Sequence, residues 1–101
     1  MDRTPAWVPA VLEAQLEAYF YKAVRAAGGY TFKLAPTLAG IPDRLVIWPP
    51  GVICLAELKT ETGVLSKIQI YRHAEIAQYG VTVVVLRGRE EVDEWIRSQV
   101  Q

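Results

Sequence analysis

Five consecutive apolar residues, Val52-Ile53-Cys54-Leu55-Ala56, constrain this chain more than any other feature. Successive side chains of a strand point to opposite faces, so a strand apolar at every position has no face to offer to water. Such a strand belongs in the interior of a sheet covered on both sides, with Ile53 and Leu55 toward one layer and Val52, Cys54 and Ala56 toward the other. The run changes character at Glu57-Leu58-Lys59. Charges at the end of a doubly covered strand are hard to explain by packing, because a buried charge is costly unless something pairs with it.

The rest of the chain supplies the covering layers. From about Pro9 to Ala27, apolar residues recur at helical spacing (Leu12, Leu16, Tyr19, Phe20, Ala23, Val24, Ala27), and Gly28-Gly29 provides a left-handed stop. Tyr30 to Ala35 alternates as a strand does and is broken by residues 36–40. Arg44 to Trp48 and Val52 to Leu58 form two strands joined by a hairpin connection at Pro49-Pro50-Gly51. Thr60 to Leu65 reads as a loop, and Ser66-Lys67-Ile68-Gln69 has the form of a capping box, opening a helix that runs to about Gln78 and stops near Gly80. Val81 to Arg87 is a β-branched strand, and a last helix from about Glu90 is expected to bury Val92, Trp95, Ile96 and Val100. The order α-β-β-β-α-β-α predicts an α/β fold. Its helix between the third and fourth strands permits a crossover, hence a mixed four-stranded sheet flanked by helices.

With 101 residues, 51% of them hydrophobic, and no repeat or long linker, the chain reads as one domain over residues 1–101. A single cysteine, Cys54, excludes an internal disulfide, and with the single histidine, His73, it excludes a Cys/His zinc site within one chain. Cys54 reads as a small buried hydrophobe and His73, on the second helix, as a surface or interface residue. No apolar stretch approaches the roughly 20 residues that span a bilayer. Met1-Asp2-Arg3-Thr4-Pro5 lacks the apolar core of a signal peptide, so a cytoplasmic protein without a membrane partner is expected. Eleven basic residues balance eleven acidic ones, which does not advertise a nucleic-acid partner. Glu90, Glu91, Asp93 and Glu94 crowd near the C-terminus, however, leaving eleven bases against seven acids elsewhere and room for a modest basic surface.

A bulge-free hairpin centred on Pro50 pairs Trp48 with Val52, Val46 with Cys54 and Asp43 with Glu57. Cross-strand partners hold their Cβ atoms about 5 Å apart, and like charges placed so are destabilising unless something positive sits between them. Lys59 projects from the same face as Glu57 because strand side chains alternate with period 2. Two carboxylates beside a lysine can bind a hard cation such as Mg²⁺ or Mn²⁺, which keeps several waters. That is equipment for phosphodiester hydrolysis: the ion polarises the phosphate and acidifies a water, and Lys59 orients the nucleophile or stabilises developing charge. A Glu-x-Lys pair at a strand end is by itself often only structural. Its combination with Pro42-Asp43 and a hairpin of matching length is far more specific.

Pro42-Asp43 with Glu57-Leu58-Lys59 resembles the signature of the PD-(D/E)xK nucleases, whose core is the restriction-endonuclease-like fold. Ala23-Val24-Arg25-Ala26-Ala27-Gly28-Gly29, Gly40-Ile41-Pro42-Asp43-Arg44, the Glu57-Leu58-Lys59 strand, and Ser66 and Gln69 opening a helix together resemble the VRR-NUC branch, the virus-type replication-repair nucleases. The likeness covers about Glu13 to Ile96. It implies a metal-dependent DNA endonuclease using Mg²⁺ or Mn²⁺ and, for small stand-alone members, a homodimer that cleaves four-way (Holliday) junctions. It also implies metal ligation by Asp43, Glu57, the backbone carbonyl of Leu58 and an acid on the first helix, with Lys59 acting on the water. Counting back from the Ala23–Gly29 segment places that acid at Glu17. Glu13, one turn earlier on the same helical face, is the competitor.

Gln69 has two readings, as the residue that caps Ser66 or as one that points into the site to hold a water or phosphate. Lys67 and Arg72 lie at or near a helix N-terminus that favours phosphate, and with Arg44 they are candidate DNA-backbone contacts. The loops 36–40 and 60–65 flank the site and are placed to guide substrate. Trp7, Tyr21, Tyr71 and Tyr79 are candidates for a dimer surface or for the core. Two alternatives use the same fold: a nuclease module acting on duplex or flapped DNA within a larger complex, and a non-catalytic DNA-binding subunit. The gathered carboxylates argue against the second.

Overall fold

The structure, a computed structural model, describes residues 8–101, with side chains from residue 12 onward, so Trp7 lies outside the described residues. Seven elements follow one another: α1 (Val8–Ala26), β1 (Tyr30–Lys33), β2 (Arg44–Trp48), β3 (Val52–Lys59), α2 (Lys67–Ala77), β4 (Thr82–Arg87) and α3 (Gly88–Val100). The sheet order is β1-β2-β3-β4, antiparallel between its first three strands and parallel between β3 and β4. The α/β class, the element order and the mixed four-stranded sheet are those expected from the sequence. No described helix is long and apolar enough to cross a membrane.

The hairpin holds the register inferred above, with Trp48 opposite Val52, Val46 opposite Cys54 and Arg44 opposite Ala56. Its three-residue connection is closed by the Gly51 N–H donating to the Trp48 carbonyl at 2.8 Å, and Gly51 takes the positive φ that the turn needs. β1 stops at Lys33, short of the expected Ala35, because beyond it only the Leu34 N–H reaches across, to the Asp43 carbonyl at 2.7 Å.

One face of the sheet forms the core. Val46, Trp48, Cys54, Ala56, Leu58 and Leu86 meet Leu16, Phe20 and Val24 of α1 and Val92 and Ile96 of α3. The half-buried Trp95 fills the seam, stacking on Phe20 and tilting against Trp48 at centroid distances of 6.1 and 5.9 Å. Tyr19 ties the two helices together by donating to Asp93 at 2.6 Å. Val100 is half exposed rather than buried, since the last turn of α3 lies past this core.

The opposite face departs from expectation. Ile53 is 50% exposed and Leu55 only half-buried, so β3 is doubly covered only toward its C-terminal end. The reason is the length and placement of α2. Eleven residues long, it reaches β3 through Gln69 and His73 at Glu57 and leaves the start of the strand open.

The α1 exit is the tightest join in the core. A Cβ on Gly29 would sit 2.6 and 2.8 Å from two Trp48 ring atoms and 2.8 Å from a Val24 methyl. Gly29→Ala is therefore expected to destabilise the fold by about 1–3 kcal/mol through overpacking, measured by urea denaturation.

Candidate active site

The ladder between β2 and β3 ends at Arg44 and Ala56, and the next position on each strand carries an acid. Asp43 lies in a bend after the fully buried Pro42, and its Oδ2 accepts the Leu58 N–H at 3.0 Å. A side-chain oxygen thus takes a β3 donor just beyond the ladder, and that bond pins the Asp43 carboxylate beside Glu57.

Glu57 is 2% exposed. Its Oε2 accepts from the Gln69 amide at 3.1 Å and lies 3.9 Å from Lys59 Nζ. Its Oε1 is buried without a hydrogen-bond partner. Burial first, and then the charge and hydrogen bonding of Asp43, push the Glu57 carboxyl up to about 8; Lys59 opposes the rise and Glu13 adds to it. A carboxyl raised in this way by a neighbouring acid is short of positive charge.

Gln69 caps Ser66 and also points into the site, where it meets Glu57 rather than a water or phosphate. Its side-chain oxygen accepts the Ser66 N–H at 2.9 Å, its own N–H donates to Ser66 Oγ at 3.2 Å, and its amide nitrogen remains free to hold Glu57. The capping box that starts α2 therefore also fixes a site residue. His73, one turn further along, is buried rather than on the surface as expected, and its Nε2 lies 3.4 Å from Glu57 Oε1. Burial pushes the imidazole below its usual pKa; the Asp43 charge works against this and the Lys59 charge reinforces it. The i, i+4 spacing from Gln69 was the available sequence signal, since it puts both residues on one helical face.

The two glutamates of α1 do different things. Glu17 is engaged by cations, its Oε1 3.1 Å from Arg44 Nη1 and its Oε2 3.5 Å from Lys33 Nζ. Glu13 is the α1 acid whose charge acts on Glu57. Arg44, read from sequence as a DNA contact, is instead 7% exposed: Nε donates to Thr31 Oγ1 at 3.3 Å and the guanidinium lies over the Phe20 ring. Its parity gives the reason. Arg44 shares the core-facing side of β2 with Val46 and Trp48, and a buried guanidinium needs a carboxylate such as Glu17.

The flanking loops are fastened to the site. Arg72 donates from Nε to the Ala39 carbonyl at 2.9 Å and pairs with Glu75 at 2.7 Å, so it holds the 36–40 loop on α2. At Gly40 a Cβ would fall 2.5 Å from the Ile68 carbonyl oxygen, the closest approach of that loop. Arg87, which the sequence reading passed over, is the β4 neighbour of Lys59 and donates to the Gly63 carbonyl at 2.8 Å, bringing the 60–65 loop across Lys59. Lys67 is exposed at the first turn of α2, where no acidic residue opposes an anion.

Among the described residues no group of three or more His, Cys, Asp or Glu side chains is arranged to hold a metal ion. The site is a two-carboxylate one. Such a donor set suits a small hard cation that takes one or two carboxylates and keeps its waters.

No family model matches the chain. A protein of Acyrthosiphon pisum secondary endosymbiont phage 1 named "Putative nuclease p44" is 32% identical over 81 residues, spanning 79% of this chain and 87% of that protein. A solved structure described as a VRR_NUC domain superposes with a TM-score of 0.77 at 32% identity, covering 84% of this chain and 94% of that one. The chain belongs to the VRR-NUC family. As a VRR-NUC domain it carries the Pro-Asp and Glu-x-Lys residues on adjoining strand ends, with the cap of α2 beside them.

The crowding of acids has a measurable consequence. Asp43→Asn keeps an oxygen for the Leu58 N–H and removes a negative charge next to Glu57. It is expected to stabilise the metal-free protein by about 0.5–1 kcal/mol, seen as a higher melting temperature in EDTA.

Proposed function

We propose that this VRR-NUC chain is a divalent-metal-dependent DNA endonuclease that cuts four-way junctions as a homodimer. The observation that carries the reading is the enforced meeting of Asp43 and Glu57, one buried and both pinned by hydrogen bonds, with Lys59 alongside. A fold under no functional demand gains stability by replacing either acid, since like charges held together cost free energy.

The residues fit a hard cation. Glu57 Oε1 has no hydrogen-bond partner, the donors are carboxylate oxygens, and the Lys59 charge does not offset the burial and crowding of Glu57. Asp43, Glu57 and the Leu58 carbonyl would hold Mg²⁺ or Mn²⁺; of the two α1 acids that could join them, Glu17 is engaged by Arg44, which favours Glu13, whose charge reaches Glu57. A bound ion of this kind supplies positive charge to the phosphate and acidity to water. The protein does the rest. Lys59, its ammonium largely enclosed beside Glu57, orients the attacking water and meets the charge that builds on the phosphate oxygens. Gln69 keeps Glu57 facing the reaction, and Lys67 in the first turn of α2 receives a neighbouring phosphate. Water adds across one P–O ester bond, so one ester oxygen leaves.

Two symmetric cuts need two sites, and one chain contributes one, so junction cleavage calls for a twofold dimer. Exposed apolar side chains support association of two copies. Tyr30, Phe32 and Ile53 lie on the sheet face that α2 leaves open, and Tyr21, Tyr71 and Tyr79 are exposed on or near the helices. Arg44 is withdrawn from the set of DNA contacts, and Arg72 contributes by holding the 36–40 loop.

The test is cleavage of a labelled four-way junction beside a linear duplex and a flapped DNA with Mg²⁺ or Mn²⁺. Paired symmetric cuts in the junction are expected, lowered about 100-fold or more by Glu57→Ala or Lys59→Ala. Cutting confined to duplex or flap would replace the junction by another substrate, and metal-dependent cutting of none would leave a DNA-binding subunit. The α1 acids separate by readout: Glu13→Gln lowers activity with little change in stability, whereas Glu17→Ala destabilises by about 2 kcal/mol because it strands a buried arginine.

A further inference from the structure

Two buried polar atoms of the site lie 3.4 Å apart, and neither has a hydrogen-bond partner: His73 Nε2 and Glu57 Oε1. Neither residue can turn to water, His73 being 8% exposed and Glu57 less. The other Glu57 oxygen is already held by the Gln69 amide, and Gln69 and His73 stand one turn apart on the same face of α2.

We infer that His73 is a positioning residue for Glu57. The His73 Nε2–H and the Gln69 amide grip the two carboxylate oxygens from one helix face and fix the carboxylate in the orientation that a divalent cation shared with Asp43 requires. The inference rests on the reading of Asp43 and Glu57 as cation ligands. An accepted hydrogen bond leaves each carboxylate oxygen a further lone pair, so holding it and ligating through it are compatible. The 3.4 Å separation is a long contact between atoms that are otherwise unsatisfied, and hydrogen bonds of this kind shorten when the site is filled. Burial lowers the imidazole's pKa and so favours the neutral ring, which has one N–H to give. Loss of a group that orients a metal ligand typically weakens metal affinity 10- to 100-fold, the size of effect expected here.

The experiment is Mn²⁺ titration calorimetry on the full chain at fixed pH, paired with thermal denaturation in EDTA, for His73→Leu, His73→Asn, His73→Gln and Glu57→Gln. Leu fills the space without a donor, the Asn amide falls short of Oε1, and the Gln amide reaches about as far as Nε2. His73→Leu and His73→Asn are expected to weaken Mn²⁺ binding about 10-fold or more, while His73→Gln restores most of it. The melting temperature in EDTA is not expected to follow that pattern. Wild-type Mn²⁺ affinity in the Leu or Asn variant overturns the inference, as does a Gln variant as weak as they are, since His73 then only fills space. If His73→Leu does not fold, the Asn and Gln pair decides. Glu57→Gln separates the two levels: undiminished Mn²⁺ binding there removes Glu57 as a ligand, whereas lost binding beside an unaffected His73→Leu removes only the positioning role.

Discussion

The hairpin between β2 and β3 forces Asp43 and Glu57 together, and the rest of the site is arranged around that meeting. A short turn at Pro49-Pro50-Gly51 sets the register, and the register runs on past the last ladder pair until two carboxylates are neighbours. The Leu58 N–H then holds one acid and the Gln69 amide the other. Burial makes the arrangement costly. Glu57 sits at the end of a strand whose core-facing neighbours are apolar, so its charge is poorly solvated and its pKa is pushed to about 8. An isolated domain has no energetic reason to retain this; a domain that hosts a small divalent cation does.

The surrounding elements serve this point from different directions. α2 caps itself and steadies Glu57 with the same glutamine, so the helix cannot fray at its start without loosening the site. Arg72 and Arg87 each donate a guanidinium N–H to a backbone carbonyl of one flanking loop, which fastens both loops beside the site. On the far side of the sheet, Arg44 and Glu17 form a pair that joins α1 to β2 one residue from Asp43. That pair is structural in its contacts, although Arg44 directly follows Asp43 in sequence.

Much of this is legible in the sequence, and the parts that are not share a cause. Local rules identify the seven elements, the capping box at Ser66 and the hairpin register, because periodicity, cap chemistry and turn length act over a few residues. The register alone brings Asp43 beside Glu57. What escapes is whatever depends on where one element docks on another. His73 is buried because α2 lies over the C-terminal end of β3, and Ile53 is exposed because the same helix goes no further. Both follow from one docking position that no local pattern specifies. Arg44 is an intermediate case, since strand parity already turns it toward the core, but the carboxylate that makes its burial tolerable lies on a helix 27 residues away. Glu13 and Glu17 share a helical face, and the Arg44 and Lys33 cations opposite Glu17 set the two apart.

The most direct measurement of the central claim is a crystal structure of the full chain soaked with Mn²⁺, with data collected for anomalous scattering. An anomalous peak is expected between the Asp43 and Glu57 carboxylates, and it disappears in the Glu57→Gln variant. A well-ordered site with no peak there, or a peak elsewhere that persists in that variant, would contradict the claim.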